Sequence, residues 1–277
     1  MSGRYTHAVV RGVPSSLAKE ANGQVDLARA QRENGVYCGI LRQKLGLQVV
    51  ELPPNEELPQ GQLIGDTAVV IADTALITRP WIPARRKETE GLQKIFEELK
   101  FRVCELNDEN ATLDASDILF TGSEIFVGLS KWTNLRGAEM VAKTYQDYAV
   151  STVPVSGDLH LKSFCSMGGP DTLVIGSSDT AKKALKTMEQ LTDHHYETLT
   201  VPDDPAANCI YARVGPKSNV LIHRSVDEYP NSAQLDKHPP ISYKTLFVRY
   251  LVRVWGIDET IVIVKAADIC HLIDCAS

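Results

Sequence analysis

The sequence of 277 residues contains no run that approaches the roughly 18 consecutive apolar residues needed by a membrane-spanning helix. The first seven residues also lack the apolar core of a secretory signal peptide. Hydrophobic residues make up 43% of the chain and charged residues 23%, a composition typical of globular proteins. We therefore expect a cytoplasmic protein with no membrane partner.

The sequence has no excess of positive charge either. Its formal net charge is −6, whereas the electrostatic footprint of a nucleic-acid-binding domain is basic. We therefore expect no nucleic-acid partner. A mildly acidic surface is compatible with a cationic small-molecule substrate, although most acidic proteins have no such substrate.

Cysteine is sparse and follows no framework. The six cysteines form no Cys-x-x-Cys motif, which predicts reduced thiols in the cytoplasm. The segment from Asp268 to Cys275 raises the alternative of a metal site, but its spacing is not that of a usual zinc site. We predict no metal and no other cofactor. The cysteines are Cys38, Cys104, Cys165, Cys209, Cys270 and Cys275.

A triplet of polar residues at nearly equal spacing is the most informative feature that is present. Asp66, Asp114 and His160 lie 48 and 46 residues apart, and each comes just before an apolar, strand-like segment. Continuing the spacing gives a fourth position near Asn208 and a fifth near Trp255. A carboxylate beside an imidazole is a common arrangement for proton transfer near neutral pH. The spacing therefore predicts one polar site assembled by an internal repeat.

Each repeat has the pattern strand, tight turn, strand, helix, strand. Short segments rich in β-branched residues flank turns such as those at residues 72–73 and 168–170. Between the second and third strands, apolar residues recur at helical spacing. The predicted helices cover residues 26–45, 85–99, 135–148 and 179–191, the last capped by Ser177 or Ser178.

The N-terminal copy begins with the second strand of the unit, near residues 7–10, and lacks a first strand. Residues 260–264 are placed to supply it, which closes a ring of five units without exposed sheet edges. The rival interpretation is a linear protein of two α/β domains. Because no Pro/Gly/Ser-rich linker of useful length occurs, we predict one α/β domain over residues 1–277, with the repeats converging on a central pocket.

Six long sequence blocks are specific enough to indicate a family. The blocks are TALITRP at 74–80, DENATLD at 108–114, DILFTG at 117–122, FVGLSK at 126–131, YAVSTVPV at 148–155 and HLKSFCSM at 160–167. They resemble the dimethylarginine dimethylaminohydrolase family over a stretch from about His7 to about Gln234. Trp81 and the segment KWTN at 131–134 are most similar to the vertebrate type-2 branch of that family.

The resemblance implies an α/β fold, the five-bladed pseudo-symmetric α/β propeller of the guanidine-modifying superfamily. It also implies hydrolysis of asymmetric dimethylarginine and monomethylarginine to citrulline and a methylamine, which removes endogenous inhibitors of nitric oxide synthase. In the family mechanism, a cysteine thiolate attacks the guanidinium carbon, and water then hydrolyses the covalent thiouronium intermediate. Because a guanidinium is a poor electrophile, a reactive thiolate that divides the reaction into two steps suits this chemistry.

The resemblance assigns roles to five residues. His160 matches the general acid/base and Asp114 matches the acid that orients it. Asp66 matches a carboxylate that pairs with the substrate guanidinium, for which planar bidentate pairing is suitable. Arg85 matches an arginine that binds the substrate carboxylate, and Trp132 stands where the family has a second such arginine, within the substrate-binding set. The alternatives are a structural histidine, a strand-end cap, a turn acid and, for Arg85, a solvated charge run.

Several positions depart from the family pattern. Gly65 and Gln60 stand where the family has acids, and Trp132 replaces an arginine. Ala115-Ser116 replaces a pair of glycines. Each lost charge removes a partner for dimethylarginine worth about 1–3 kcal/mol. These departures predict weak or altered substrate binding.

The C-terminal segment, residues 235–277, diverges from the family, which carries its nucleophilic cysteine there. No cysteine occurs at residues 255–260, just before and at the start of the predicted closing strand. Cys275 is the candidate nucleophile, but it lies after that strand, together with Cys270, and so emerges about 20 Å away at ~3.3 Å per residue. Its use would require a rearrangement. An alternative C-terminal exon or a gene-model error would explain the sharp change.

Two classes of function follow from these features. The first is a methylarginine hydrolase that uses Cys/His/Asp covalent catalysis and takes a small methylated arginine as substrate, or a related guanidine hydrolase with altered specificity. The second is a catalytically weak or silent family member that acts by binding other proteins, whose identity the sequence does not specify. A thiolate within reach of His160 distinguishes the two classes.

Overall fold

The computed structural model describes residues 5–20, 25–215, 218–224 and 229–232, together with two strands at residues 244–247 and 262–264. Among the residues described, no helix combines the length and the apolar character needed to cross a membrane. The described chain is a mixed α/β structure, as the sequence predicted, and short strands make up about half of its regular structure.

The strands are three to six residues long. In chain order they are β1 His7–Arg11, β2 Gln48–Leu52, β3 Ala68–Ile71, β4 Thr74–Ile77, β5 Arg102–Glu105, β6 Ile118–Phe120, β7 Glu124–Leu129, β8 Ala149–Pro154, β9 Cys165–Gly169, β10 Thr172–Gly176, β11 Glu197–Val201, β12 Ile210–Gly215, β13 Ser218–His223, β14 Lys244–Phe247 and β15 Val262–Val264.

The longer helices begin at polar N-cap residues. Asp26 accepts a hydrogen bond from the backbone N–H of residue 29, Asn134 from that of residue 137, and Ser178 from that of residue 181. The predicted cap of the last helix is therefore Ser178 and not Ser177. The helices are α1 Ser16–Glu20, α2 Leu27–Gln43, α3 Leu92–Glu98, α4 Leu135–Thr144 and α5 Asp179–Leu191.

The helix predicted over residues 85–99 is wrong in its first half. Residues Pro83–Thr89 form a 3₁₀ helix, and α3 begins only after Gly91. Gly91 has a φ of +85°, a left-handed conformation that glycine adopts without a steric penalty and that interrupts a right-handed helix. The break leaves Arg85 on a 3₁₀ segment that is separate from α3.

Five three-stranded sheets repeat one plan, which confirms the predicted strand pattern. In each sheet the middle strand is antiparallel to one neighbour and parallel to the other. In four sheets an α-helix connects the parallel pair, as a parallel crossover requires. The sheet orders are β15-β1-β2, β3-β4-β5, β6-β7-β8, β9-β10-β11 and β12-β13-β14.

The N-terminal sheet takes its antiparallel strand from the other end of the chain. β15 pairs with β1, with His7 opposite Val264 and Val9 opposite Val262. Val262–Val264 lies within the segment predicted to supply the missing strand of the first unit, so that prediction is confirmed for these three residues. The pairing removes one exposed sheet edge at β1.

Apolar residues of each middle strand divide between two hydrophobic clusters. Adjacent residues of a strand point to opposite faces, and each face packs toward a different neighbouring sheet. Five clusters result, and each unites residues of two sheets, including the first and the last. Representative buried pairs are Val9 and Ala75, Leu76 and Ile125, Phe126 and Leu173, Val174 and Leu221, and Ile222 and Ala8.

Candidate active site

Four short 3₁₀ helices precede the first strands of four sheets and carry the polar residues of the predicted site. They are Ile64–Asp66, Ala115–Asp117, Leu161–Ser163 and Asp204–Ala207. Asp114 and His160 are the N-cap residues of their helices, whereas Asp66 is the last residue of its own and Asn208 follows the fourth. The predicted single repeat position is therefore only approximate, although all four residues occupy the same kind of turn.

These four residues line one pocket of about 460 Å³. Arg85 and Trp132 line it as well, so five of the six residues assigned from the sequence surround one cavity. The sixth, Cys275, lies outside the described residues, and so does the extrapolated fifth position at Trp255. The convergence of distant residues follows from the repeat, because each unit contributes its turn at the same end of its sheet.

Asp114 and His160 form a close carboxylate–imidazole pair. Nε2 of His160 lies 3.2 Å from Oδ2 of Asp114, and the Asp114 backbone N–H donates to the hydroxyl of Thr133. The other carboxylate oxygen, Oδ1, is buried without a hydrogen-bond partner among the described residues. Burial raises the pKa of Asp114, and the hydrogen bond to His160 opposes that shift only in part. The pair has the geometry needed to hold and move a proton.

Asp117 supports His160 through the backbone. Its Oδ1 accepts the N–H of Leu161, the residue after His160, at 2.9 Å, and its Oδ2 accepts the Ser130 hydroxyl at 2.6 Å. Burial raises the pKa of Asp117 to about 6. A Cβ at Gly128 would lie 2.8 Å from Oδ1 of Asp117, so a glycine is needed for this close approach. Asp117 therefore fixes the turn that presents the imidazole.

The guanidinium of Arg85 lies among three carboxylates. Its Nη2 donates to Oδ2 of Asp66 at 3.0 Å and lies 3.0 Å from Oε2 of Glu88. Its Nη1 lies 3.9 Å from Oδ2 of Asp114. Burial by itself would lower the pKa of Arg85, but the surrounding carboxylates raise it above the ordinary value. Arg85 is 8% exposed, which contradicts the alternative of a solvated charge run.

Both carboxylate oxygens of Asp66 are engaged inside the protein. Oδ2 accepts from Arg85, and Oδ1 accepts a short hydrogen bond from the hydroxyl of Ser116. Burial would raise the pKa of Asp66, but the charges of Arg85 and His160 and the Ser116 hydroxyl together hold it below its ordinary value. The carboxylate expected to receive a guanidinium is therefore already paired with one.

Trp132 lies against the imidazole at the mouth of the pocket. Its ring stacks on that of His160 with centroids 5.6 Å apart and an interplanar angle of 21°. It also meets Trp81 edge to face at 5.8 Å. The ammonium of Lys131 lies 4.8 Å from the Trp132 ring centroid and 2.9 Å from the carboxylate of Asp158. An aromatic surface thus stands at the position where the family pattern has a guanidinium.

The positions of three other departures from the family pattern are also visible. Gln60 lines the pocket. Gly65 and Ala115 line a different cavity of about 160 Å³ instead. An acid restored at Gln60 would therefore add charge to the main pocket directly, whereas Gly65 borders the other cavity.

No thiol lines the pocket among the described residues. The four cysteines described form no disulfide with one another, and three of them are buried. Burial raises the pKa of Cys165 to about 12, which is unsuitable for a thiolate nucleophile at neutral pH. Cys270 and Cys275 lie outside the described residues.

No grouping of side chains suitable for a metal ion occurs in the described part of the chain. The segment from Asp268 to Cys275, the alternative metal site considered from the sequence, falls outside that part. The polar side chains of the pocket are instead arranged as ion pairs and hydrogen-bonded pairs.

Several residues that line or support the pocket were not predicted from the sequence. Glu88 follows Arg85 at the i,i+3 spacing of helical ion pairs, so its partnership was detectable. Ser116 is 50 residues from Asp66, and no local pattern connects them. The residues missed are Glu88, Ser116, Asp117, Asp158 and Arg224.

The chain is similar in sequence to two mammalian proteins. No family model matches the chain. The chain is 59% identical over 239 residues to a protein of Homo sapiens named "Putative hydrolase DDAH2", and 57% identical over 239 residues to the protein of the same name from Bos taurus. In both cases the match covers 84% of this chain and 84% of the relative.

A solved structure has a similar fold. It is DDAH from Pseudomonas aeruginosa, a cysteine-to-serine mutant complexed with citrulline, with a TM-score of 0.77 and 21% sequence identity. The alignment covers 94% of this chain and 100% of that one. At this level of identity the likeness shows the fold alone.

Proposed function

The chain belongs to the dimethylarginine dimethylaminohydrolase family, and from that membership we propose that it is a hydrolase acting on the C–N bond of methylated guanidines. The proposed substrates are asymmetric dimethylarginine and monomethylarginine, and the products are citrulline and a methylamine. The observation that carries the proposal is the Asp114–His160 pair, at 3.2 Å, in the same pocket as Asp66.

In the proposed reaction a cysteine thiolate attacks the guanidinium carbon. His160 protonates the departing dimethylamine as the bond from carbon to nitrogen breaks, which leaves a thiouronium on the sulfur. Water then adds to that carbon and gives one proton to His160. The carbon–sulfur bond breaks and the second proton of the water is released to solvent, which leaves citrulline and the free thiolate. Asp114 holds the imidazole and stabilises its protonated form.

Binding of a substrate guanidinium to Asp66 requires an exchange of partners. The Arg85 guanidinium and the Ser116 hydroxyl occupy both carboxylate oxygens. A charge-assisted hydrogen bond contributes about 1.5–3 kcal/mol, so displacing either partner weakens substrate binding. We therefore propose low affinity for methylarginines, with Trp132 in the substrate-binding set but without the charge that would bind a carboxylate.

The proposed nucleophile is Cys275, and a paired experiment tests it. The citrulline released from dimethylarginine by the purified protein is measured, and cysteine modification by a thiol-reactive amidine is located by mass spectrometry. We expect Cys275→Ser to abolish both, while the matched control Cys270→Ser retains both. Absence of turnover together with absence of labelling at any cysteine contradicts the hydrolase proposal for this chain.

A second candidate is a catalytically silent family member that acts through protein binding. Two observations favour it, the internal pairing of Asp66 and the lack of a cysteine at residues 255–260. It predicts the negative result of the experiment above with an intact fold by circular dichroism. It also predicts that His160→Ala leaves partner binding unchanged, whereas a hydrolase loses turnover with that variant.

For the architecture we propose a five-bladed α/β propeller formed by one domain. The five sheets of identical plan support it, as do the five hydrophobic clusters that unite neighbouring sheets in a cycle. The pairing of β15 with β1 supports closure of the ring by the C-terminal segment.

For the cellular setting we propose the cytoplasm and a role in regulating nitric oxide synthesis. The described cysteines form no disulfide with one another, which supports a reducing compartment. The proposed ligand is a small methylated arginine, and the proposal includes neither a membrane nor a nucleic acid as partner. Fractionation of cells that express the protein tests the location, because enrichment in a secreted or membrane fraction contradicts it.

A further inference from the structure

Trp132, which lines the pocket, forms a corner with a second indole ring, that of Trp81. Trp81 and Trp132 meet at an interplanar angle of 78° with centroids 5.8 Å apart. Trp81 is 45% exposed, an unusual exposure for the largest apolar side chain. Asp158, which lines the pocket, places a carboxylate near this corner through its contact with Lys131. The corner therefore combines two π faces with one negative charge.

The protein places its own cation in this corner. The Lys131 ammonium lies 4.8 Å from the centroid of Trp132 and 6.0 Å from that of Trp81, within the range of cation–π attraction. It also lies 2.9 Å from Oδ1 of Asp158. The Lys131 and Asp158 side chains are 45% and 78% exposed, so the ion pair is open to solvent and weak. The Lys131 ammonium thus occupies the corner through weak contacts, from which an external cation can displace it.

We propose that the corner formed by Trp81, Trp132 and Asp158 is a binding site for a methylated ammonium ion, which displaces the Lys131 ammonium. The methyl groups of such an ion bury apolar surface against both rings, which a lysine ammonium does not do. A methylated ammonium is also less strongly hydrated than a primary ammonium, so its transfer from water to the ring faces costs less.

The site is distinct from the proposed guanidinium pair at Asp66 but communicates with the acid–base pair. The same Trp132 ring that faces the ammonium stacks on the imidazole of His160. A cation bound against Trp132 therefore contacts a ring that is itself stacked on the His160 imidazole. The proposal concerns binding alone and does not rest on hydrolase activity.

The experiment compares three probes that share a hydroxyethyl group, and it uses the full chain. Choline carries a trimethylammonium group, 3,3-dimethylbutan-1-ol is its neutral isostere, and ethanolamine is its unmethylated counterpart. Binding is followed by NMR of the tryptophan indole N–H groups and by the ring signals of His160. We expect saturable shifts with choline and weaker or no shifts with the other two probes, because only choline has both charge and methyl groups.

Variants separate the corner from the rest of the surface. Lys131→Ala removes the competing ammonium and should tighten choline binding about threefold, whereas Trp81→Ala and Asp158→Asn should each weaken it by a similar factor. The matched control is Lys94→Ala, which removes an exposed lysine from an ion pair with Glu98 and should change nothing. Equal binding of choline and its neutral isostere, or choline affinity unchanged by Lys131→Ala and Trp81→Ala, overturns the proposal.

Discussion

The two halves of the pocket contain similar groups in opposite electrostatic states. In the acid–base half, formed by Asp114, His160 and Asp117, the carboxylate of Asp114 retains an oxygen without a hydrogen-bond partner among the described residues. In the guanidinium half, formed by Asp66, Arg85, Glu88 and Ser116, both oxygens of Asp66 are engaged. The pKa of Asp114 is raised by burial, whereas the pKa of Asp66 is lowered despite burial.

The contrast shows that partners, and not burial, decide the difference between the two carboxylates. Asp66 and Asp114 are 1% and 2% exposed, so both suffer the same desolvation. Asp66 has a guanidinium at 3.0 Å, while Asp114 has an imidazole at 3.2 Å and the same guanidinium only at 3.9 Å. Asp66 is therefore paired with a cation before any ligand arrives, whereas Asp114 keeps its affinity for a proton.

Removal of Arg85, the cation that both halves of the pocket share, should have the largest effect. Arg85→Ala leaves the buried carboxylates of Asp66 and Glu88 without the cation that forms ion pairs with both, and we expect a loss of about 3–5 kcal/mol in the free energy of unfolding. Urea denaturation followed by circular dichroism measures it. Arg86→Ala is the control, because the Arg86 side chain donates to the backbone carbonyl of Pro80 and forms no ion pair with any residue that the structure describes. Equal losses in the two variants would mean that the carboxylates do not depend on Arg85.

A second test examines the acid–base half through pH. The pKa of Asp117 is raised by burial from 3.8 to about 6. The folded state therefore holds a proton that the unfolded state has already lost, so stability falls as the pH rises from about 4 to 6, by about 3 kcal/mol in total. Asp117→Asn keeps an acceptor for the Leu161 N–H and should abolish this part of the pH dependence.

The measurement is the free energy of unfolding from urea titrations at intervals between pH 4 and pH 7. The exposed control Asp193→Asn should keep the wild-type pH profile. Asp66 contributes with the opposite sign, since its lowered pKa gives stability that is lost as the pH falls below its ordinary value. A profile for Asp117→Asn that parallels the wild type would show that Asp117 is ionised in the folded protein throughout.

The sequence predicted the acid–base half better than the guanidinium half. The repeat spacing brought Asp66, Asp114 and His160 to one pocket, and the family resemblance is confirmed by relatives of high identity. These inferences work because a repeated unit places its turns at equivalent ends of its sheets. Spacing along the chain is enough to detect such an arrangement.

The internal pairing of Asp66 was beyond sequence reasoning. The contact between Ser116 and Asp66 depends on two units packing side by side, so neither residue carries a local indication of the other. Arg85 belongs to a charged run that resembles a solvated surface. The break at Gly91 separates its 3₁₀ segment from α3. The guanidinium half of the site therefore depends on tertiary contacts, which local sequence patterns do not reveal.

A smaller effect is expected from a variant in which Asp66, like Asp114, has one carboxylate oxygen that is not engaged. Ser116→Gly restores the glycine of the family pattern and frees Oδ1 of Asp66 for an external guanidinium. One hydrogen bond contributes about 1 kcal/mol, so we expect monomethylarginine to bind about fivefold more tightly in isothermal titration calorimetry. Ser123→Gly, in an exposed turn, controls for the added backbone freedom. Unchanged or weaker binding with Ser116→Gly would exclude Ser116 as a competitor for Asp66.

The smallest expected effect concerns the far end of the ligand, where Trp132 replaces an arginine of the family pattern. Trp132→Arg restores a positive charge at the mouth of the pocket and gives up the ring stacked on His160. A partly exposed ion pair contributes less than about 1 kcal/mol, so we expect a two- to fourfold gain in affinity for monomethylarginine. The same variant should not improve binding of the decarboxylated analogue, which shares the guanidinium but lacks the carboxylate. Trp81→Arg is the control, and an equal gain with both variants would mean that added charge anywhere at the mouth attracts the ligand.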